Sequence, residues 1–280
     1  MLRNKDAVYE KDGALWYKAT EFGGEKDEVL VRQNGNPTYF AADIAYHYNK
    51  FVTRNFSRVI NSWGADHHGH VARLKGAMDA LGLDGSRLDI VLMQLVRLMK
   101  DGEPYRMSKR TGKSITLRDL IEEIPIDAAR FFFNMREPGS ALDFDLNLAA
   151  EQSAQNPVYY VQYAHARICS IMKKLESENI KFDLQKADLS LISSSEEIEL
   201  IRYIAGYPNE IISAAKAYDP ASITHYAIEL ATRFHKFYSV CHVFGEAEEL
   251  MQARIALCLA VKTTLANILS LLKISAPESM

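Results

Sequence analysis

Residues 101–118, DGEPYRMSKRTGKSITLR, set five cations (Arg106, Lys109, Arg110, Lys113 and Arg118) in a stretch punctuated by Gly102 and Gly112. The glycines give backbone freedom, and the cations supply charge-assisted donors suited to phosphate oxygens. Such a loop can close over a polyphosphate, although charge alone favours a solvated basic hairpin; the order of its residues shifts that weighing toward phosphate. The residues ahead of it suggest where it sits in a fold. Arg87–Leu95 (RLDIVLMQL) is rich in aliphatics and is expected to be a buried strand. Ser57–Trp63 reads as an earlier strand, ending at Gly64. The run between them, with Val71, Leu74, Ala77, Met78 and Leu81, has helical spacing. Strand, helix, strand predicts a parallel sheet, with ligands at the carboxyl ends of the strands. That rule puts Asp66-His67-His68 and the Lys109 loop on one edge.

The 280 residues are 48% hydrophobic and 25% charged, enough for one large or two medium domains. The formal net charge of −3 hides acidic segments near Glu196 and Glu246 beside the basic loop. An acidic total therefore does not exclude RNA. Cys169, Cys241 and Cys258 are odd in number and far apart, which supports neither a disulfide framework nor a thiolate metal site and points to a reducing, cytoplasmic setting. No uninterrupted apolar run reaches membrane-spanning length, and MLRNKDAVYEKDG lacks a signal-peptide core.

Toward the amino end, Glu28–Gln33 and Thr38–Ala41 read as two strands of a hairpin around Asn34-Gly35-Asn36-Pro37. Beyond the basic loop, Leu117–Glu123 and Pro125–Met135 are expected helices, and Asp143–Leu148 a connector. A domain boundary is expected near Ala150. From Asn156 onward the pattern is helical. Val158, Val161, Ile168, Met172 and Leu175 form one stripe, and Leu257, Val261, Leu265, Ile268 and Leu272 another. Glu196–Ala217 and Ile223–Val243 are two further amphipathic helices. The expected fold is an α/β unit over 1–150 and an all-α bundle over 151–280.

Three constellations could carry chemistry. Tyr39 and Asp43, four apart, could converge on one ligand, or Asp43 could cap a helix over Ile44–Tyr48. Asp66-His67-His68-Gly69-His70 suggests a metal, but consecutive residues cannot all face one ion and no distal cluster matches, so no metal is expected. Tyr159, Tyr163 and Arg167 share a helix face and suit stacking on unpaired bases, or half-buried packing.

Met107-Ser108-Lys109, following a basic residue and followed by Thr111-Gly112-Lys113, resembles the KMSKS signature of class I aminoacyl-tRNA synthetases, with Arg106 at the first Lys. The longer run MSKRTGKSITLRDLIEEIPIDAARFFF (107–133) is similar to arginyl-tRNA synthetases in particular. Asn156–Arg167, FHKFYSVCHV (234–243) and SAPESM (275–280) resemble a DALR anticodon-binding domain, and Asp127-Ala128-Ala129-Arg130 stands where that motif belongs. The resemblance runs from Asp12 to Met280. It departs at Arg106, Ala129, His242 and Ser279. His67–His70 spells H-x-G-H, but it lies too near Lys109 to be the HIGH signature.

The resemblance implies an α/β half of a class I nucleotide-binding, Rossmann-like catalytic domain followed by an all-α anticodon-binding domain. It implies an arginine-tRNA ligase with ATP, Mg²⁺, L-arginine and tRNA(Arg) as partners, in the cytoplasm and off the membrane. Tyr39 and Asp43 would contact the arginine, with Asp66 and His67 orienting it. Lys109 would neutralise pyrophosphate charge, assisted by Arg106 and Ser108, while Met107, Ser108, Lys109 and Arg110 would bind ATP. Tyr159, Tyr163, Arg167, Arg233, His235 and Tyr238 would meet tRNA. The HIGH-bearing half and the tRNA-elbow domain are not recognisable, so the chain is expected to be a carboxyl-terminal part, inactive alone. The alternative is a non-catalytic tRNA-binding or regulatory module. A cysteinyl-type enzyme would need a thiolate-bound zinc, which three scattered cysteines do not supply.

Overall fold

The computed structural model describes residues 1–105, 115–185 and 187–280. By contacts the chain falls into two units, Met1–Leu95 with Pro138–Ser140, and Val96–Glu137 with Ala141–Met280.

The first unit begins with an antiparallel sheet of β1 (Val8–Lys11), β2 (Ala14–Tyr17) and β3 (Glu28–Val31), in that order. Asp12 and Gly13, both left-handed with φ of 52° and 71°, make the turn between β1 and β2. A tight turn follows β3 as expected, with the Arg32 N–H bonded to the Asn36 carbonyl at 2.9 Å. The second strand expected at Thr38–Ala41 does not form. A single bridge, Val31 with Pro37, is all that returns. The Thr38 hydroxyl instead accepts the Ala41 N–H at 3.3 Å and opens α1 (Tyr39–Tyr48). Asp43 therefore sits in the second turn of α1, and the capping role considered for it belongs to Thr38. A π turn, Asn49–Thr53, extends the helix.

Next come β4 (Val59–Gly64), α2 (His68–Leu81) and β5 (Leu88–Met93). The two strands pair in parallel from Val59 with Leu88 to Gly64 with Met93, the arrangement that their aliphatic runs predict. Helix α2 stops at Gly82, left-handed at φ 78°. Within α2, a Cβ on Gly76 would lie 2.1 Å from the Phe22 carbonyl oxygen, so only glycine permits that approach. Tyr17, Phe40, Ile44, Leu74, Met78 and Leu88 form the core.

In the second unit β6 (Val96–Lys100) pairs with β7 (Glu103–Pro104) through a turn at Asp101-Gly102. Two helices follow, α3 (Leu117–Glu123), opened by a Thr116–Asp119 capping box, and α4 (Ile126–Phe133). The segment read as a connector is ordered: β8 (Leu142–Asp145) pairs in parallel with β6, and α5 (Leu146–Ala150) follows. Phe144 is the reason, being fully buried with its ring 5.3 Å from Phe132 and 5.0 Å from Phe133.

The rest is a bundle of α6 (Pro157–Ser177), α7 (Ser195–Ala217), α8 (Ala221–Val240) and α9 (Glu248–Leu271). Among the described residues α9 alone is long and apolar enough to cross a membrane, but Ile255, Cys258, Val261, Leu265 and Ile268 are fully buried in the bundle core. Asp127 and Arg130 have a visible structural task here. The Asp127 carboxylate accepts from Gln162 Nε2 at 3.0 Å and from the Ser275 backbone, while Arg130 donates to the Lys273 carbonyl. Together with His165 Nδ1, 2.9 Å from the Pro277 carbonyl oxygen, they tie residues 273–277 to α4 and α6.

Candidate functional site

The first cluster lies in the first unit, where α1 and the end of β4 carry the expected amino-acid contacts. Tyr39 is 89% exposed and Asp43 is also exposed, one turn apart on the same side of α1. After β4 the chain makes a 3-10 turn, Ala65–His67, which presents Asp66 and His67. His67 Nε2 is 3.7 Å from Asp66 Oδ2, and its ring is 6.2 Å from Trp63 and 5.6 Å from His70.

A polar hollow of about 260 Å³ opens here, lined by residues that include Lys26, Asp66, His68, His70 and Arg73. Burial holds His70 below its ordinary pKa, helped by the charges of Arg73 and His67 and opposed by Glu28 and Asp43. Asp43 thus lies among the charges around His70 in the first turn of α2. Sequence reading missed Arg73 and Glu28. They form a largely buried ion pair, with the guanidinium 5.5 Å from the Phe40 ring centre. The signal available was His70 and Arg73 three apart on one helix face; Glu28 lay unmarked in a strand.

Among the described residues no group of three His, Cys, Asp or Glu side chains could hold a metal ion. Arg106, Met107, Ser108, Lys109 and Arg110 lie outside the described residues, as does the shared edge expected for that loop.

The second cluster lies on α6 and α8 in the second unit. The Arg167 guanidinium sits 5.2 Å from the centres of both the Tyr163 and Tyr238 rings. It donates to His235 Nδ1 at 3.3 Å. His235 lies 5.0 Å from Tyr160 and 5.9 Å from Tyr163, ring centre to ring centre. Burial, then the Arg167 charge, pushes its pKa down to about 4, so the ring is neutral near pH 7. A hollow of about 420 Å³ adjoins, lined among others by Tyr163, Arg167, Lys174, Tyr238 and Phe244. A flat guanidinium between aromatic rings beside a second cation can receive a base and its phosphate.

Two of the expected contacts stand apart from this cluster. Tyr159 lines another hollow, with Asp127 and Gln162. Arg233 pairs with Glu229 one turn back on α8 at 2.7 Å and reaches α7 at Glu199, 3.5 Å away, over the Tyr203 ring. Tyr160, which sequence reading passed over, is the tyrosine whose ring lies closest to His235.

Residues 1–180 match the profile of the catalytic domain of tRNA synthetases class I (R), and residues 161–280 that of the DALR anticodon binding domain. The chain belongs to this synthetase family. Its fold is the family's class I catalytic domain joined to a helical DALR domain, and the two profiles overlap within α6.

Synthetase relatives are close in sequence. The arginine-tRNA ligase of Caldanaerobacter subterraneus is 61% identical over 280 residues, covering 100% of this chain and 50% of that protein. That of Ruminiclostridium cellulolyticum is 57% identical over 281 residues, with the same coverage. Among solved structures, a Campylobacter jejuni chain described as an arginyl-tRNA synthetase superposes with a TM-score of 0.88 at 36% identity, over all of this chain and 60% of that one. The Thermus thermophilus arginyl-tRNA synthetase, at 22% identity, shares the fold with a TM-score of 0.85, over all of this chain and 57% of that one. The chain spans about half the length of the curated relatives it matches.

Proposed function

We propose that this chain is part of an arginine-tRNA ligase, which joins L-arginine to its tRNA with ATP. The observation that carries the reading is Asp43, an exposed carboxylate one turn beyond Tyr39 on α1 and within the electrostatic reach of the His67–His70 segment. It stands in a chain whose relatives are named arginine-tRNA ligases. A carboxylate can take a guanidinium through two parallel hydrogen bonds and leaves a neutral isostere poorly held. Tyr39 would pack on the substrate stem, and Asp66 and His67 would orient its polar end.

In this reading the arginine carboxylate attacks the α-phosphate of ATP, giving arginyl-adenylate and pyrophosphate. The terminal ribose of tRNA then takes the arginyl group and AMP leaves. The protein contributes positioning and charge stabilisation. Lys109, with Arg106 and Ser108, is assigned to the pyrophosphate, and Met107 and Arg110 to ATP. Mg²⁺ enters with ATP and neutralises phosphate charge when bound. Tyr163, Arg167, His235 and Tyr238 are assigned to tRNA, with Tyr159 and Arg233 at the margin of that surface. The proposed partition remains 1–150 for catalysis and 151–280 for the anticodon end. The chain contributes the half with the 106–110 loop and the helical domain, and the rest of the enzyme brings the HIGH-bearing half. Buried free cysteines at 169, 241 and 258 fit a reducing cytoplasm.

A second reading, a tRNA-binding module without catalysis, is favoured by one observation, the half-length span. Arginine-dependent ATP-pyrophosphate exchange with tRNA present separates the two. The chain alone should be silent, and the chain mixed with the remaining half of a full-length relative should be active. In the mixture Lys109→Ala should lose roughly 100- to 1,000-fold in rate. Exchange by the chain alone would overturn its incompleteness, and full activity of the Lys109→Ala mixture would overturn the role of that loop. Binding of tRNA with no exchange in any mixture would favour the module.

A further inference from the structure

Helix α1 carries its exposed Asp43 and, one turn on, a buried histidine. His47 is 3% exposed, and Asn61 on β4 is 8% exposed. Both ring nitrogens are engaged: Nδ1 lies 2.7 Å from the Asp43 backbone carbonyl oxygen and Nε2 lies 2.8 Å from Asn61 Nδ2. A carbonyl oxygen can only accept, so Nδ1 carries the proton and Nε2 accepts from the Asn61 amide, which makes the ring neutral and fixes its tautomer. The Asn61 oxygen accepts from Lys50 Nζ at 3.3 Å, and that ammonium also sits 4.2 Å from the Tyr46 ring centre. The opposite amide orientation would set NH₂ donors against the ammonium, so the chemistry selects this one. Lys50 lies in the π turn that follows α1, a feature that recurs at functional sites.

We propose that His47 and Asn61 are positioning residues for a guanidinium-bearing amino acid, acting through Asp43, an inference that rests on the reading of Asp43 given above. The bridge joins the two elements that carry the site. At one end it grips the backbone of Asp43 itself. At the other it grips β4 three residues before Gly64, where the chain turns to present Asp66 and His67. Neither residue reaches the surface, so neither touches substrate. Their effect is to fix the spacing and rotation of Asp43 against the β4 end, where a bidentate contact tolerates about 0.5 Å of error. An apolar side chain could fill the same volume and would fix neither.

The test uses the isotope-labelled chain. Backbone amide shifts of α1 and of residues 64–67 are compared for wild type, His47→Leu, His47→Gln and Asn61→Ala, and L-arginine is then titrated into each. Unfolding midpoints exclude loss of the fold, and Asp43→Ala serves as control. His47→Leu and Asn61→Ala should move both segments and weaken arginine binding about tenfold, the effect of one buried hydrogen bond. His47→Gln keeps an acceptor for the Asn61 amide and should stay within about threefold of wild type. Shifts confined to α1, arginine affinity unchanged in His47→Leu, or His47→Gln as weak as His47→Leu would each overturn the bridge. No arginine binding by wild type, or normal binding by Asp43→Ala, would count against the guanidinium reading instead. The joint shift of the two segments would then decide the bridge by itself.

Discussion

Glu197 shows what a single buried carboxylate does in this chain. It is 1% exposed, the third helical residue of α7, and accepts from the Ser193 and Ser194 N–H groups at 3.0 and 2.9 Å and from Arg254 Nε at 2.6 Å. Burial pushes its pKa up, but the serine N–H groups and the guanidinium outweigh burial and leave it below 4.5. A folded value below the unfolded one stabilises the chain above about pH 4.5, and that contribution is lost as pH falls through the folded value. Glu197→Gln removes the carboxylate that Arg254 Nε meets, leaving the guanidinium to Glu246 at 3.1 Å and the His242 carbonyl, and should cost about 1–3 kcal/mol in urea unfolding. His235 acts in the same pH direction. Its folded value of about 4 lies below the ordinary 6.5, so the unfolded chain binds more protons between those limits and stability falls as pH drops. His235→Gln should flatten the unfolding midpoint against pH between 4 and 6.5, whereas an unchanged slope would remove the histidine from the account. Sequence alone could not show the surroundings of either residue, since Glu197 meets Arg254 and His235, named only through the family resemblance, meets Arg167, in each case more than 50 positions away.

At the scale of elements, periodicity carried most of the information. The aliphatic runs before and after α2 yielded the parallel pair, and the apolar stripes of α6 and α9 yielded two helices of the bundle. Reading failed where one side chain overrode local preference. Thr38 capped a helix in what looked like a strand, and Phe144 drew a supposed connector into a sheet. Helix α7 also contains a conflict that its stripe concealed. Pro208 lies in its interior, where the ring removes one helical hydrogen bond. One turn earlier Tyr226 donates its hydroxyl to the Tyr203 carbonyl, and the two rings stack at 4.3 Å. Pro208→Ala restores the missing donor without touching that pair. It should raise stability by about 1–3 kcal/mol, read from the denaturation midpoint. A loss of stability would mean that Pro208 itself is needed to seat Tyr226.

For the molecule as a whole, two separate hydrophobic cores match the two contact units. The first unit leaves part of its sheet uncovered. Parallel strands are ordinarily covered on both faces, yet the β4–β5 pair leaves Ile60 53% and Met93 49% exposed. The chain spans about half the length of the curated relatives it matches, and the proposal of a HIGH-bearing half expects that surface to be covered. The proposed arginine site came from the family resemblance, because residue chemistry alone left Asp43 open as either a ligand or a helix cap. Its support was legible in neither: Arg73 with Glu28, and His47 with Asn61, are tertiary pairs that no spacing announces. The most direct measurement is the arginine dependence of ATP-pyrophosphate exchange in the completed enzyme, wild type against Asp43→Ala. Loss of the carboxylate should raise the KM for arginine about a hundredfold and leave the KM for ATP unchanged. An unchanged KM for arginine would contradict the assignment of Asp43 to the guanidinium, and with it the proposed site.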